Sequence, residues 1–154
     1  MMRYWLMKSE PDAFSIDDLE RVKNEPWTGV RNYQARNYMW KEMAVGDGVL
    51  FYHSNAKIPG IAGLAKVASA AYPDPTQFDP ESDYWDPKAS VDKPRWYLVD
   101  VGFERKLKAV ISLETLKANA DKLGDFVLLN RGTRLSVLPV GKTQWQTILK
   151  LEPK

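Results

Sequence analysis

The sequence predicts a compact, curved mixed α/β domain or small barrel, with several strands and short helices interspersed. Three observations predict it. Short apolar runs of strand length alternate with short stretches of helical periodicity. The segments joining them are too short for repeated strand–helix–strand units, which disfavours a doubly wound sheet. Gly60, Gly63 and Val67 lie in a small-residue run suited to a bent sheet edge.

The elements follow in order. Residues 4–8 are aromatic and apolar and read as the first strand. Glu10-Pro11-Asp12 turns the chain. Ser15 and Asp18 have capping-box spacing, with Ile16, Leu19 and Val22 on one helical face. A short helix is expected there, ending near residues 24–26. Trp27-Thr28-Gly29-Val30 is a loop. Residues 32–43 lack Gly and Pro and place Ala35, Met39 and Met43 on one side, as a second helix would. Gly46-Asp47-Gly48 turns into a strand over 49–53, and a polar loop follows at 54–59. Residues 61–71 are Ala-rich enough for a helix, but the glycines favour a strand.

Residues 72–94 carry Pro73, Pro75, Pro80, Pro87 and Pro94, which forbid a long regular element. The same segment holds Phe78, Tyr84 and Trp85. A long loop inside a compact domain is often functional; alternatively, its aromatics plug the core. Its carboxylates, Asp74, Asp79, Glu81, Asp83 and Asp86, are expected to be solvated. A strand over 96–103 continues after a bend into 106–110. Ser112 opens a helix with Leu113 and Leu116 inward, and 135–140 is the last strand. Thr143 and Gln146 suggest a final capping box, with Trp145, Ile148 and Leu149 on an apolar helical face.

Composition narrows the chemistry. A chain of 154 residues suits a single domain spanning 1–154. Cys is absent and His occurs once, which excludes thiol nucleophiles and disulfides and leaves little for zinc. No metal or cofactor is expected. The N-terminus has no long apolar region and no run approaches a membrane span, so a soluble cytoplasmic protein is expected. The formal charge of +2 is too small for broad electrostatic wrapping of nucleic acid, though it permits local contacts. Aromatic residues are plentiful: six Trp, seven Tyr and five Phe, enough for both a core and a binding surface.

Catalytic motifs are weak. Gly141-Lys142-Thr143 resembles the end of a phosphate loop, but Ser136 stands where that loop needs its first Gly. His53 and Ser54 are adjacent in an extended segment and point to opposite faces, a poor nucleophile–base pair. His53 could serve as a general base, or simply hydrogen-bond in a pocket wall. The densest polar–aromatic cluster is 27–37, which holds Trp27, Arg31, Asn32, Tyr33, Gln34, Arg36 and Asn37. Aromatic faces, amides and arginines together suit a planar base beside a phosphate. The bland reading is a helix N-terminus with solvated arginines and core rings.

The same residues carry a resemblance. Tyr4-Trp5-Leu6-Met7-Lys8-Ser9-Glu10-Pro11, the 27–37 cluster, Phe51-Tyr52-His53-Ser54-Asn55 and Gly60-Ile61-Ala62-Gly63 resemble the EVE domain family. So do Tyr84-Trp85-Asp86-Pro87-Lys88 and Arg134-Leu135-Ser136-Val137. The resemblance implies a mixed α/β, PUA-like fold: a small, strongly curved, β-barrel-like sheet with short peripheral helices. It also implies a non-catalytic reader of modified bases, chiefly modified cytosine in DNA. It implies Trp27 as one aromatic wall and Tyr84 or Trp85 as another. Ser9 and Asn32 would read the base edge, Tyr33 would stack or donate its hydroxyl, and His53 and Ser54 would bond the base or order the floor. Lys8, Arg31, Arg36 and Arg134 would contact phosphates. Trp85 departs from the family's expected Tyr or Phe. Three alternatives stand beside this reading: an RNA-binding module, an enzyme on a nucleotide-like molecule using His53, and a protein-interaction domain.

Overall fold

The computed structural model describes residues 2–153. Its centre is a six-stranded sheet ordered β2-β7-β4-β3-β1-β8. The strands are β1 (Tyr4–Ser9), β2 (Asn24–Pro26), β3 (Gly48–His53), β4 (Gly60–Val67), β7 (Asp100–Ser112) and β8 (Val137–Val140). β1 and β3 run parallel, with Tyr4 opposite Gly48 and Ser9 opposite His53; the other neighbours are antiparallel. A second, two-stranded sheet pairs β5 (Tyr72–Pro73) with β6 (Tyr97–Leu98).

Strand alternation sends side chains to two cores. Trp5, Met7, Val49 and Phe51 face one, together with Ile16, Leu19 and Trp27. Leu6, Leu50, Tyr52 and Ile61 face the other, together with Phe126, Leu138 and Ile148. Both faces of the sheet are therefore dry, and the central strands read as continuous apolar runs. Each fully buried large apolar side chain contributes about 1.5–3 kcal/mol. Register shifts at Phe51/Tyr52, Ile61/Gly63 and Leu64/Ala65 mark where the pairing bends. Such bulges increase twist, and the sheet curls into a half-barrel. Gly63 is required at this bend: a Cβ there would stand 2.4 Å from Ile16 Cδ1.

The helices are short and peripheral: α1 (Ile16–Val22), α2 (Tyr33–Asn37), α3 (Leu113–Ala118), α4 (Ala120–Leu123) and α5 (Lys142–Leu149). Ser15 and Asp18 form the expected capping box of α1. Residues 60–67 are a strand, since both their faces are buried except at Lys66.

Four expectations are corrected. α1 stops at Val22, where Lys23 takes φ 72°, and residues 24–26 pair with β7 as a strand. Backbone pairing there outweighs helical continuation. The second helix is divided: α2 passes into a π-helical turn, Tyr38–Glu42, closed by a 2.9 Å bond from Met43 N–H to the Tyr38 carbonyl. Helix α5 begins at Lys142 with Gly141 as its cap, so Thr143 lies inside the first turn. The Gln144 side chain, not Gln146, bonds back to the cap, accepting from Gly141 N–H at 2.8 Å. Asp74 is buried, not solvated, because four donors converge on it.

The proline-rich segment is anchored by polar groups. Gln77 is fully buried. Its amide oxygen accepts from Arg95 N–H and Trp96 N–H at 2.8 and 2.9 Å. Its amide nitrogen donates to the carbonyls of Asp74 and Trp96, both at 2.8 Å. A buried amide with its donors and acceptor satisfied holds a loop as firmly as a short sheet would.

Candidate functional site

A cleft of about 450 Å³ opens beside the C-terminal end of β1. Lys8 and Ser9 supply one side, with Phe14 from the turn that follows. Glu25 and Pro26 of β2 and the loop Trp27 to Arg31 supply the opposite side, with Tyr84 over the loop. The walls mix aromatic surface with a few polar groups, the usual make-up of a small-molecule or base site.

Trp27 is a rigid wall. Its backbone N–H donates to the Val99 carbonyl at 3.1 Å, prolonging the β2–β7 ladder. Its ring meets Phe51 edge-on, with centroids 5.6 Å apart, and only 8% of the residue is exposed. Tyr84 is the opposite case, 46% exposed on the proline-rich segment. Its ring rests on Gly29, whose φ is +86°; a Cβ there would stand 2.7–2.9 Å from the ring carbons.

Asp74 joins these two pieces. Its carboxylate accepts from Gly29 N–H at 2.8 Å and from Thr76 N–H and hydroxyl at 2.8 and 2.6 Å. Arg31 Nη1 pairs with it at 3.2 Å. Arg31 Nη2 and Nε also donate to the Tyr84 carbonyl at 2.6 and 3.2 Å. The guanidinium therefore ties Tyr84 in place through planar, charge-assisted bonds.

The remaining polar groups at the cleft are less committed. Ser9 donates its hydroxyl to the Phe14 carbonyl at 2.6 Å, so its oxygen can still accept. Lys8 sits at the rim with Nζ 5.8 Å from the Tyr52 ring centroid, and burial pulls its pKa below the ordinary lysine value. Burial holds the Glu25 carboxyl above the usual carboxylate range.

Of the residues singled out in the sequence, Lys8, Ser9, Trp27, Arg31 and Tyr84 meet at this cleft. The others line no part of it. Asn32 caps α2, accepting from Ala35 N–H at 3.0 Å. Tyr33 stacks on Trp96 at 4.8 Å, and its hydroxyl accepts from Arg95. Arg36 lies over the Tyr33 ring at 4.6 Å and donates to the Arg95 carbonyl. The start of α2 turns these residues away, so neighbours in sequence part company in space. His53 Nε2 accepts from Ile16 N–H at 3.1 Å, and burial lowers its pKa. Ser54 N–H bonds the Ser9 carbonyl at 3.0 Å. Trp85 and Arg134 are exposed.

Phe14, Glu25, Gly29 and Asp74 were not selected from sequence as site residues. Gly29 carried a signal, a glycine inside an aromatic loop, and Asp74-Pro75-Thr76 has the pattern of an Asp-initiated turn. Glu25 carried none.

A curved sheet with an aromatic cleft at the end of its parallel pair is a binding architecture, and this chain belongs to the EVE domain family, whose model matches residues 3–151. Its particular relatives are well defined. It is 45% identical over 166 residues to thymocyte nuclear protein 1 of Danio rerio, covering 96% of this chain and 71% of that protein. The fold is shared with a crystal structure of a Pseudomonas syringae protein, at 51% identity and TM-score 0.92, covering 96% and 98% of the two chains. It is shared equally with human THYN1 protein, crystallised in complex with 5-methylcytosine-containing DNA, at 42% identity and TM-score 0.93, covering 99% and 98%.

These relatives correct the expected compartment. The animal proteins that match nearly the whole chain are named as nuclear, so a cytoplasmic assignment does not stand. A secretory-signal criterion separates the secreted from the unsecreted and carries no information on the nucleus.

Proposed function

We propose that this chain, acting as one domain over residues 1–154, is a non-catalytic module that binds DNA through a modified base, with 5-methylcytosine the favoured ligand. The observation that carries the proposal is its whole-length likeness to the human protein crystallised with such DNA. The cleft supports it: the Trp27 wall, the Tyr84 lid and a handful of polar groups suit a planar base. Extruding a base from a duplex costs a few kcal/mol, and stacking returns about 1–3 kcal/mol per base. Edge hydrogen bonds must supply the rest.

Binding without turnover fits the state of His53. A general base needs a free lone pair within reach of its substrate. The Nε2 lone pair of His53 is engaged by Ile16 N–H, and His53 is not a wall of the cleft. The phosphate-contact role expected of Arg31 gives way to a scaffolding role, since its guanidinium is committed to Asp74 and Tyr84. Lys8 at the rim remains a phosphate contact in this proposal.

The test is a titration at fixed salt with single- and double-stranded oligonucleotides, DNA and RNA, carrying cytosine, 5-methylcytosine or 5-hydroxymethylcytosine. Tightest binding to 5-methylcytosine DNA is expected. Equal affinity across the panel would overturn the proposal.

A further inference from the structure

We infer that Glu25 is a specificity-determining residue: its carboxylate accepts a hydrogen bond from the exocyclic amino group of the bound pyrimidine, so the cleft takes an amino edge and rejects a keto edge. The inference rests on the base-reading proposal above.

Glu25 lies in β2 opposite Val101, two residues before Trp27. Residues two apart in an extended segment share a face, so Glu25 lies on the Trp27 side, and both are walls of the cleft. It is half-buried. Among the described residues no side chain or backbone N–H donates to its carboxylate, and no cation stands within ion-pair distance. Arg21 of α1, the positive group that acts on it, is paired with Asp18 at 3.3 Å. Asp100 of β7 and Asp18 act on it with further negative charge. The contrast with Asp74 is direct: that carboxylate has its donors supplied by the fold, whereas Glu25 has none.

An ionised carboxylate only accepts hydrogen bonds. Cytosine offers an amino donor at ring position 4; thymine offers a carbonyl oxygen there. Facing Glu25, the amino group would satisfy a partly desolvated acceptor, while the carbonyl would leave two acceptors opposed. 5-Methylcytosine and thymine share the ring and the C5 methyl, so stacking and methyl contacts cancel in their comparison. What remains is the edge, together with the lower cost of extruding a mismatched thymine, which is the same for every variant and cancels when their ratios are compared. One well-placed base-edge contact gives discrimination of about ten- to a hundredfold.

The experiment measures Kd by fluorescence anisotropy at fixed salt for one duplex carrying 5-methylcytosine or thymine opposite guanine, with the parent protein, Glu25→Gln and Glu25→Asp. The ratio of the two Kd values removes any general gain in affinity from deleting a negative charge near DNA. Glutamine can donate or accept, so the parent's preference should shrink about tenfold in Glu25→Gln, while Glu25→Asp should retain part of it. Thermal melts of each variant check folding. An unchanged ratio in Glu25→Gln, with the parent still preferring 5-methylcytosine, overturns the role of Glu25 and leaves base reading intact. Failure of the parent to bind the modified duplex overturns base reading, and this inference with it.

Discussion

The Tyr84 ring lies directly on Gly29, closer than any other residue at that position would allow. Two separate requirements meet at this glycine. Its φ of +86° is one L side chains rarely adopt, and the missing Cβ is the space the ring occupies. A lid carried on one loop is thus seated on a wall carried by another.

Gly29→Ala should break both conditions. The backbone strain costs about 1–2 kcal/mol, and Tyr84 must swing away. Urea denaturation should show that modest loss, and oligonucleotide affinity should fall by more than the stability change explains. A variant that binds as the parent does would show that the lid is not used.

Asp74→Ala should be more damaging. It leaves Arg31 without its carboxylate and frees Gly29 N–H and Thr76. Breaking a buried pair costs about 3–5 kcal/mol, and the partial exposure of Arg31 places this pair toward the low end. A double-mutant cycle with Arg31→Ala should return a favourable coupling energy; additive effects would mean the two do not interact.

Trp27 and Tyr84 should separate cleanly. Trp27→Ala removes a core ring and should cost about 3–5 kcal/mol, so lost binding there says little about recognition. Tyr84→Ala removes an exposed ring and should change stability by less than about 0.5 kcal/mol. If Tyr84 stacks on the base, its affinity should still fall about tenfold or more. Unaltered affinity in a stable Tyr84→Ala protein would remove Tyr84 from the site.

His53 gives a pH prediction. Burial, the main cause, sets its folded pKa below the unfolded value of about 6.5; Asp17 opposes the shift and Lys106 adds to it. Above about pH 6.5 both states are neutral and the full stability is present. As pH falls toward the folded pKa, only the unfolded chain binds the proton, so stability is lost. The chain has one His, so NMR titration of a single imidazole against urea stability is unambiguous. A folded pKa above that of a model peptide would reverse the sign.

Much of this protein was legible in the order of its residues. The Ser15–Asp18 box, the apolar β1 and β3, and the glycine-marked β4 act over a few residues, where propensity and alternation decide the outcome. Trp27 was a candidate from residue chemistry and family likeness, whereas Tyr84 and Trp85 stayed alternatives in the sequence, and only the folded cleft has Tyr84 in its lining and not Trp85. Tertiary structure decided the rest. Tyr33 and Arg36 follow Trp27 closely in sequence, yet α2 carries them onto Trp96, and Asn32 is spent capping that helix. Asp74 looked solvated in a proline-rich, acidic stretch because two of its four donors, Gly29 N–H and Arg31, come from a segment more than forty residues away. Glu25 had no signal because its isolation is a property of its surroundings. Local propensity reports what a residue can do; pairing across the sheet and closure of distant loops determine which partners it meets, and which acceptor is left for a ligand.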